Sequence, residues 1–182
     1  RSEAFLGQFL ATELIKRSLP RSSIFLISKL KPSDHGYQKT KDSIQKSALL
    51  LGGYVDLYLI HWPGVGKIQP NDERNIAIRN ESWIAMQEMV EENIYVKNIG
   101  VSNYTVNHLQ AMKEHPSYRL PPLVNQYELH PAYHPVELIE YCQSNGIHLQ
   151  SYSTLGTGQL LTEEYLQNHP FLEEMIEKHS QK

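Results

Sequence analysis

Five residues whose side chains can do chemistry stand at or near the ends of short apolar runs: Lys29, His61, Asn103, Gln126 and Tyr152. His61 is the clearest, because YVDLYLIHWP (54–63) places a histidine, a tryptophan and a proline directly after a run too short for a typical helix. Lys29 follows the apolar run IFLI (24–27) after one serine, Asn103 follows VKNIGV (96–101) and Ser102, and Tyr152 lies near the end of IHLQSYS (147–153). Gln126 falls inside LVNQYEL (123–129). A cation, an imidazole, two amides and a phenol are the groups that orient and protonate a polarised substrate or hydrogen-bond a planar ligand. Each also has an ordinary alternative. A strand-end lysine can be solvated, a histidine can cap a strand, an asparagine can tolerate loop dihedrals, and a tyrosine can fill a core with its hydroxyl satisfied.

The elements that would position these residues alternate regularly. Apolar spacing predicts a helix over Glu3–Lys16, and the strand Ile24–Ile27 would end just before Lys29. Ser33 and Asp34 offer caps for a helix through Ile44, Ala48 and Leu51, stopped by Gly52-Gly53. The strand of YVDLYLI leads to a long polar loop from Pro63 to Asn80, which would shape a substrate pocket. A helix around Trp83, Met86 and Val90 comes next, then the third strand. Thr105 caps a helix facing inward through Leu109 and Met112. The fourth strand carries Asn125, Gln126 and Glu128, polar side chains that need partners or a ligand. Pro135 suits a first helical turn before Leu138, Ile139 and Cys142, and Asn145-Gly146 closes that helix. A glycine-containing loop, Thr154–Gly158, follows the fifth strand, and Asn168–Ser180 contains a last helix around Phe171, Leu172, Met175 and Ile176. The pattern is α(βα)5, an α/β parallel sheet with the strand ends gathered at one mouth.

Composition narrows the function classes. A net charge of −3 without a basic stripe argues against nucleic acid. One cysteine, Cys142, excludes an internal disulfide and the usual zinc frameworks, so no metal site is expected and a cytoplasmic setting fits. No apolar stretch approaches the roughly 20 residues that cross a bilayer, so no membrane partner is expected. A doubly wound nucleotide-binding fold is disfavoured, because no glycine-rich phosphate turn follows the first strand.

The motifs SKL (28–30), DHGY (34–37), YVDLYLIHWP, IGVSNY (99–104), VNQYELHP (124–131) and SYSTLG (151–156) resemble, in order and spacing, those of the aldo-keto reductase family. The resemblance covers the chain from Glu3 to about Lys182. It implies a (β/α)8 TIM barrel that binds NADPH, less often NADH, and reduces aldehydes and ketones to alcohols by hydride transfer, as a monomer acting on a small-molecule carbonyl substrate. By this resemblance Lys29 is the lysine beside the catalytic tyrosine, and His61 orients the substrate carbonyl. Trp62 is a wall of the substrate pocket. Ser102, Asn103 and Gln126 hold the nicotinamide carboxamide, Tyr152 stacks on that ring, and Ser153, Leu155 and Gly156 begin the loop over the pyrophosphate.

The sequence departs from the family pattern in three places. Thr154 stands where the family has a proline. The family's acid tyrosine and its aspartate partner align before Arg1, and its eighth strand and 2'-phosphate motif align after Lys182. The expectation is a single domain, 1–182, equivalent to about strands three to seven of an incomplete barrel. Its carbonyl reductase activity would be impaired, or it would serve as a truncated, non-catalytic, crystallin-like, binding or regulatory relative.

Overall fold

A computed structural model describes residues 2–180 of the chain. Helix α1 (Ser2–Lys16) leads through a 3-10 turn at Arg21–Ser23 into β1 (Ile27–Leu30) and, after a second such turn, into α2 (Tyr37–Leu50). There follow β2 (Val55–Ile60), α3 (Arg74–Glu92), β3 (Val96–Ser102), α4 (Val106–Lys113), β4 (Val124–Glu128), α5 (Val136–Ser144) and β5 (His148–Tyr152). A 3-10 segment, Gly156–Leu161, and the helices α6 (Glu163–Asn168) and α7 (Pro170–His179) complete the described residues. Among these residues no helix is long and apolar enough to cross a membrane.

The five strands form one sheet in the order β1-β2-β3-β4-β5, every neighbouring pair parallel. A doubly wound sheet reverses its order at a switch point. This one does not. Because crossovers between parallel strands are right-handed, an unreversed order puts all the crossover helices on one face, as in a βα barrel. Accordingly α2 packs against α1 and α3, and α4 against α5.

The two faces of the sheet differ. On β2, Tyr58 and Ile60 join the main core, and the Tyr58 hydroxyl lies 2.9 Å from Ser43 Oγ of α2. Leu57 and Leu59 alternate to the opposite face, where they form a small separate cluster with Val124. Gly100 permits this second packing. A Cβ there would lie 2.6 Å from the Val124 carbonyl oxygen and 2.8 Å from Leu59 Cδ2.

Several elements depart from the sequence expectation. β1 begins at Ile27, not Ile24, so Lys29 is inside the strand, in register with Leu59. The reason is that side chains engage the start of the apolar run. Arg21 Nη1 donates to the Ile24 carbonyl (2.7 Å), and Leu26 N donates to Asp56 Oδ2 (2.8 Å). Ser33 and Asp34 lie in the 3-10 turn, and the residue capping α2 is Gly36, at φ +107°. The polar loop ends at Glu73, because residues 74–80 are the start of α3. Hydrophobic periodicity misses these first two turns or so since Asn75, Arg79 and Asn80 are themselves buried. Asn75 also shapes the remaining loop, accepting from Val65 N (2.9 Å) and donating to the Gln69 carbonyl (2.7 Å). Pro135 precedes α5 as its N-cap residue. The last helix expected within Asn168–Ser180 is α7, opened by Pro170, and the short α6 before it is unexpected.

Other expectations hold closely. β2 is the expected strand, Thr105 is the N-cap of α4 with its N–H on His108 Nδ1 (3.2 Å), and Gly53 N closes α2 on the Ala48 carbonyl (2.8 Å).

Candidate functional site

Parallel strands bring their C-terminal ends to one edge of the sheet, and most of the candidate residues stand there. His61 directly follows β2, Ser102 ends β3 with Asn103 next, and Tyr152 ends β5. Gln126 is the third residue of β4, in register with Ser102.

Asn103 is the junction of these elements. Its backbone is left-handed, φ +63°, a conformation asparagine tolerates better than most residues. The turn aims its side-chain amide back across the strand ends. Nδ2 donates to the His61 carbonyl (2.9 Å) and to Ser102 Oγ (3.1 Å), and Oδ1 accepts from the Tyr152 hydroxyl (2.7 Å). Its backbone N–H donates to the Gln126 carbonyl (2.9 Å). Four strands are thereby tied together at their ends. Gln126 Nε2 donates to Gln150 Oε1 (2.7 Å) on β5. Asn125, which the sequence left open to a ligand, is a structural residue. It is fully buried, and its Nδ2 donates to the Tyr104 carbonyl (2.9 Å).

Lys29 and His61 line one groove of about 760 Å³ beside α1, β1 and α2, with Glu3 and Ser28 nearby. Burial holds the Lys29 ammonium below its ordinary pKa, and among the described residues it has no acid or hydrogen-bond partner to offset that effect. The His61 imidazole is likewise lowered, first by burial and then by the positive charge of Lys29. Trp62, about half exposed, lines a second groove of about 450 Å³ with Asn103, Tyr127, His130, Tyr133 and Tyr152. Its ring lies 6.3 Å from that of His61 at 28°. The Tyr152 phenol is pushed up by burial, then by Glu128 and Tyr133.

Ser153, Leu155 and Gly156 lie beyond β5. Ser153 and Gly156 have positive φ (+50° and +56°), Gly156 N donates to the Ser153 carbonyl (2.7 Å), and the Leu155 side chain is exposed. They form a turn of their own, without hydrogen bonds to Ser102, Asn103 or Gln126.

Sequence reasoning passed over Tyr127, Tyr133 and His130, which complete the second groove. The signal available was VNQYELHPAY itself, in which Tyr127 and Tyr133 flank the turn that brings their rings to 6.5 Å.

The Lys29–His61 coupling makes a direct prediction. Lys29→Met should raise the His61 pKa while leaving it below 6.5, because burial remains. A depressed histidine contributes stability that is full above its unfolded value and is lost as pH falls towards its folded value. The substitution should therefore narrow that window of acid sensitivity. An NMR titration of the His61 ring reads both effects, and an unchanged or lower pKa would contradict the coupling.

Comparison with known proteins agrees with this architecture. The family model described as "Aldo/keto reductase family" matches residues 1–181. The uncharacterized oxidoreductase YtbE of Bacillus subtilis is 33% identical over 180 residues, covering 98% of this chain and 57% of that protein. The glyoxal reductase of the same organism is 37% identical over 154 residues, 84% of this chain and 51% of the relative. Among solved structures, the aldose reductase of Schistosoma japonicum superposes with a TM-score of 0.81 at 31% identity, over 99% of this chain and 60% of that one. A Bombyx mori aldo-keto reductase in complex with NADP gives 0.72 at 28% identity, over 83% and 48%. The chain spans about half the length of the curated relatives it matches. Its five parallel strands in unreversed order match part of the solved reductase folds, and the chain belongs to the aldo/keto reductase family.

Proposed function

We propose that this chain carries the carbonyl-orienting and nicotinamide-binding residues of an NADPH-dependent reductase that converts small aldehydes and ketones to alcohols. The observation that carries this reading is the meeting, near one sheet edge, of a half-buried lysine with no acid partner among the described residues, a histidine beside it, and an asparagine that ties four strands together.

The residues fit a nicotinamide. Its primary carboxamide needs donors for the carbonyl and an acceptor for the NH2. The Ser102 hydroxyl and Gln126 Nε2, on the strand in register with Ser102, are donors, and Asn103 Oδ1 is an acceptor. Binding would exchange the present Asn103–Tyr152 and Gln126–Gln150 contacts for contacts to the ligand, freeing Tyr152 to lie against the ring. Bound NADPH supplies the hydride for the carbonyl carbon. His61 donates a hydrogen bond to the substrate oxygen, and Lys29 holds positive charge where negative charge develops on that oxygen. Trp62 walls the substrate side, and Ser153, Leu155 and Gly156 cover the pyrophosphate. The working unit is a single domain acting as a monomer.

One observation favours a second, non-catalytic reading for the 182-residue chain. Among the described residues no tyrosine hydroxyl is hydrogen-bonded to Lys29 or His61, so the acid that would protonate the alkoxide is not supplied at that point. The expected result is binding without appreciable turnover. A fluorescence titration of the chain with NADPH should saturate, while NADPH oxidation with glyoxal should stay near the rate without protein. Absence of binding would remove the cofactor reading. Brisk oxidation by a preparation of verified mass would remove the non-catalytic one.

A further inference from the structure

His35 has no place in the chemistry above, yet it is 3% exposed and joins three separate elements. Its Nε2 lies 3.1 Å from the carbonyl oxygen of Trp62, and its Nδ1 lies 3.0 Å from Ser82 Oγ on α3. A carbonyl can only accept, so Nε2 carries the hydrogen. Burial is the largest influence on the imidazole and favours its neutral form, outweighing the opposing pull of the Trp62 carbonyl. In the neutral ring Nδ1 is then an acceptor. The Ser82 hydroxyl points its hydrogen there, and its oxygen accepts from Gly36 N at 2.9 Å. The competing target of that hydrogen, the Ile78 carbonyl at 3.0 Å, already has the helical partner expected four residues on. A directed chain results, from Gly36 N–H through Ser82 and His35 to the Trp62 carbonyl.

The position of that carbonyl gives the chain its consequence. Trp62 is followed by Pro63, so the peptide unit between them has no N–H and can be held only by its carbonyl oxygen. The preceding peptide unit is held through the His61 carbonyl by Asn103 Nδ2 (2.9 Å). These two bonds grip the peptide planes on either side of the Trp62 Cα and so set its φ and ψ. The indole itself is about half exposed and is held by little else.

We infer that His35 is a positioning residue, which fixes the Trp62 backbone through its carbonyl and thereby holds the indole as a rigid wall of the substrate groove. The substrate role rests on the reductase reading, but the positioning is measurable without cofactor or turnover.

Two substitutions separate this from a space-filling role. The terminal nitrogen of glutamine reaches the place of imidazole Nε2 as a donor, whereas the amide oxygen of asparagine reaches the place of Nδ1 as an acceptor. His35→Gln therefore keeps the donor to Trp62 and loses the bond to Ser82, and His35→Asn does the reverse. Indole N–H relaxation is measured by NMR in the 182-residue chain, with the buried Trp83 as the internal control for an intact fold. In wild type and His35→Gln the Trp62 indole should be ordered. In His35→Asn and His35→Ala its order parameter should fall below about 0.6, while the Trp83 signal stays in place. Asparagine rescuing as well as glutamine, glutamine failing to rescue, or an indole indifferent to all three changes would each overturn the inference. If the variants do not fold, the tautomer in the unaltered chain decides it. Long-range 15N–1H spectra should show His35 protonated at Nε2 and bare at Nδ1, and the opposite tautomer would rule out donation to Trp62. Loss of NADPH binding with this pattern intact would sink the reductase reading and leave the positioning of Trp62 standing.

Discussion

Asn103→Ala should weaken NADPH binding by about 10- to 100-fold and lower the stability of the chain by about 3–6 kcal/mol. Two effects add in the stability figure. The alanine loses the side-chain bonds to the His61 carbonyl, Ser102 Oγ and the Tyr152 hydroxyl, each ordinarily contributing about 0.5–1.5 kcal/mol. It must also adopt φ +63°, a left-handed conformation that costs an L-residue with a plain Cβ about 1–2 kcal/mol. Asn103→Gly removes the side chain without that backbone strain, so it should keep more of the stability while binding NADPH as poorly as the alanine variant. The affinity loss corresponds to one carboxamide contact together with the loosening of His61 and Tyr152 on either side. Fluorescence titration and urea unfolding measure the two quantities separately. Equal NADPH affinity in Asn103→Ala and wild type would remove Asn103 from the site.

Arg21→Ala should cost about 3–5 kcal/mol, the range for breaking a buried ion pair on one side. Arg21 lies between α1 and β1, outside the sheet edge where the chemistry is placed. Its Nη2 pairs with Asp56 Oδ2 at 2.9 Å, with both side chains about five-sixths buried. The same guanidinium donates to the carbonyls of Ile24 (2.7 Å), Tyr54 (2.8 Å) and Leu51 (3.2 Å) and stacks over the Tyr54 ring at 4.2 Å. Alanine would leave three carbonyls and the Asp56 carboxylate without this partner. Arg21→Lys should recover little, since an ammonium cannot reproduce the planar fork that serves several acceptors at once. Shielding from water should make the loss persist in high salt. Urea unfolding with the Arg21→Ala, Asp56→Asn and double variants would give the coupling between the two residues. A loss below about 1 kcal/mol would show that the pair behaves as a surface contact. The same node ends the irregular lead-in to β1 and so sets the register that carries Lys29, which makes His61 ring shifts in Arg21→Ala a second readout.

The sequence was most informative where a strand's composition and its boundaries coincide. VDLYLI is apolar, short and bracketed by glycines and Pro63, and β2 occupies those six residues. Regular alternation of such runs with helical spacing led to the parallel sheet and to the gathering of His61, Asn103 and Tyr152 at one edge. IFLI was as apolar, yet β1 starts three residues after that run begins. The competing side chains, Arg21 and Asp56, are 35 positions apart and leave no local signature. The first turns of α3 were hidden for a related reason. Asn75, Arg79 and Asn80 are polar, and hydrophobic periodicity does not mark buried polar positions.

By itself the amino-acid sequence determined the alternating βα order, the strand that delivers His61, and a set of motifs specific enough to indicate the family. These follow from short-range periodicity and turn chemistry, which each segment carries within itself. Tertiary structure alone decided that Lys29 stands within its strand with no acid partner among the described residues, that Asn103 engages His61 and Tyr152 at once, and that His35 reaches the Trp62 carbonyl. Those outcomes depend on hydrogen bonds between residues 27 to 49 positions apart, and they exist only once the sheet has brought the segments together.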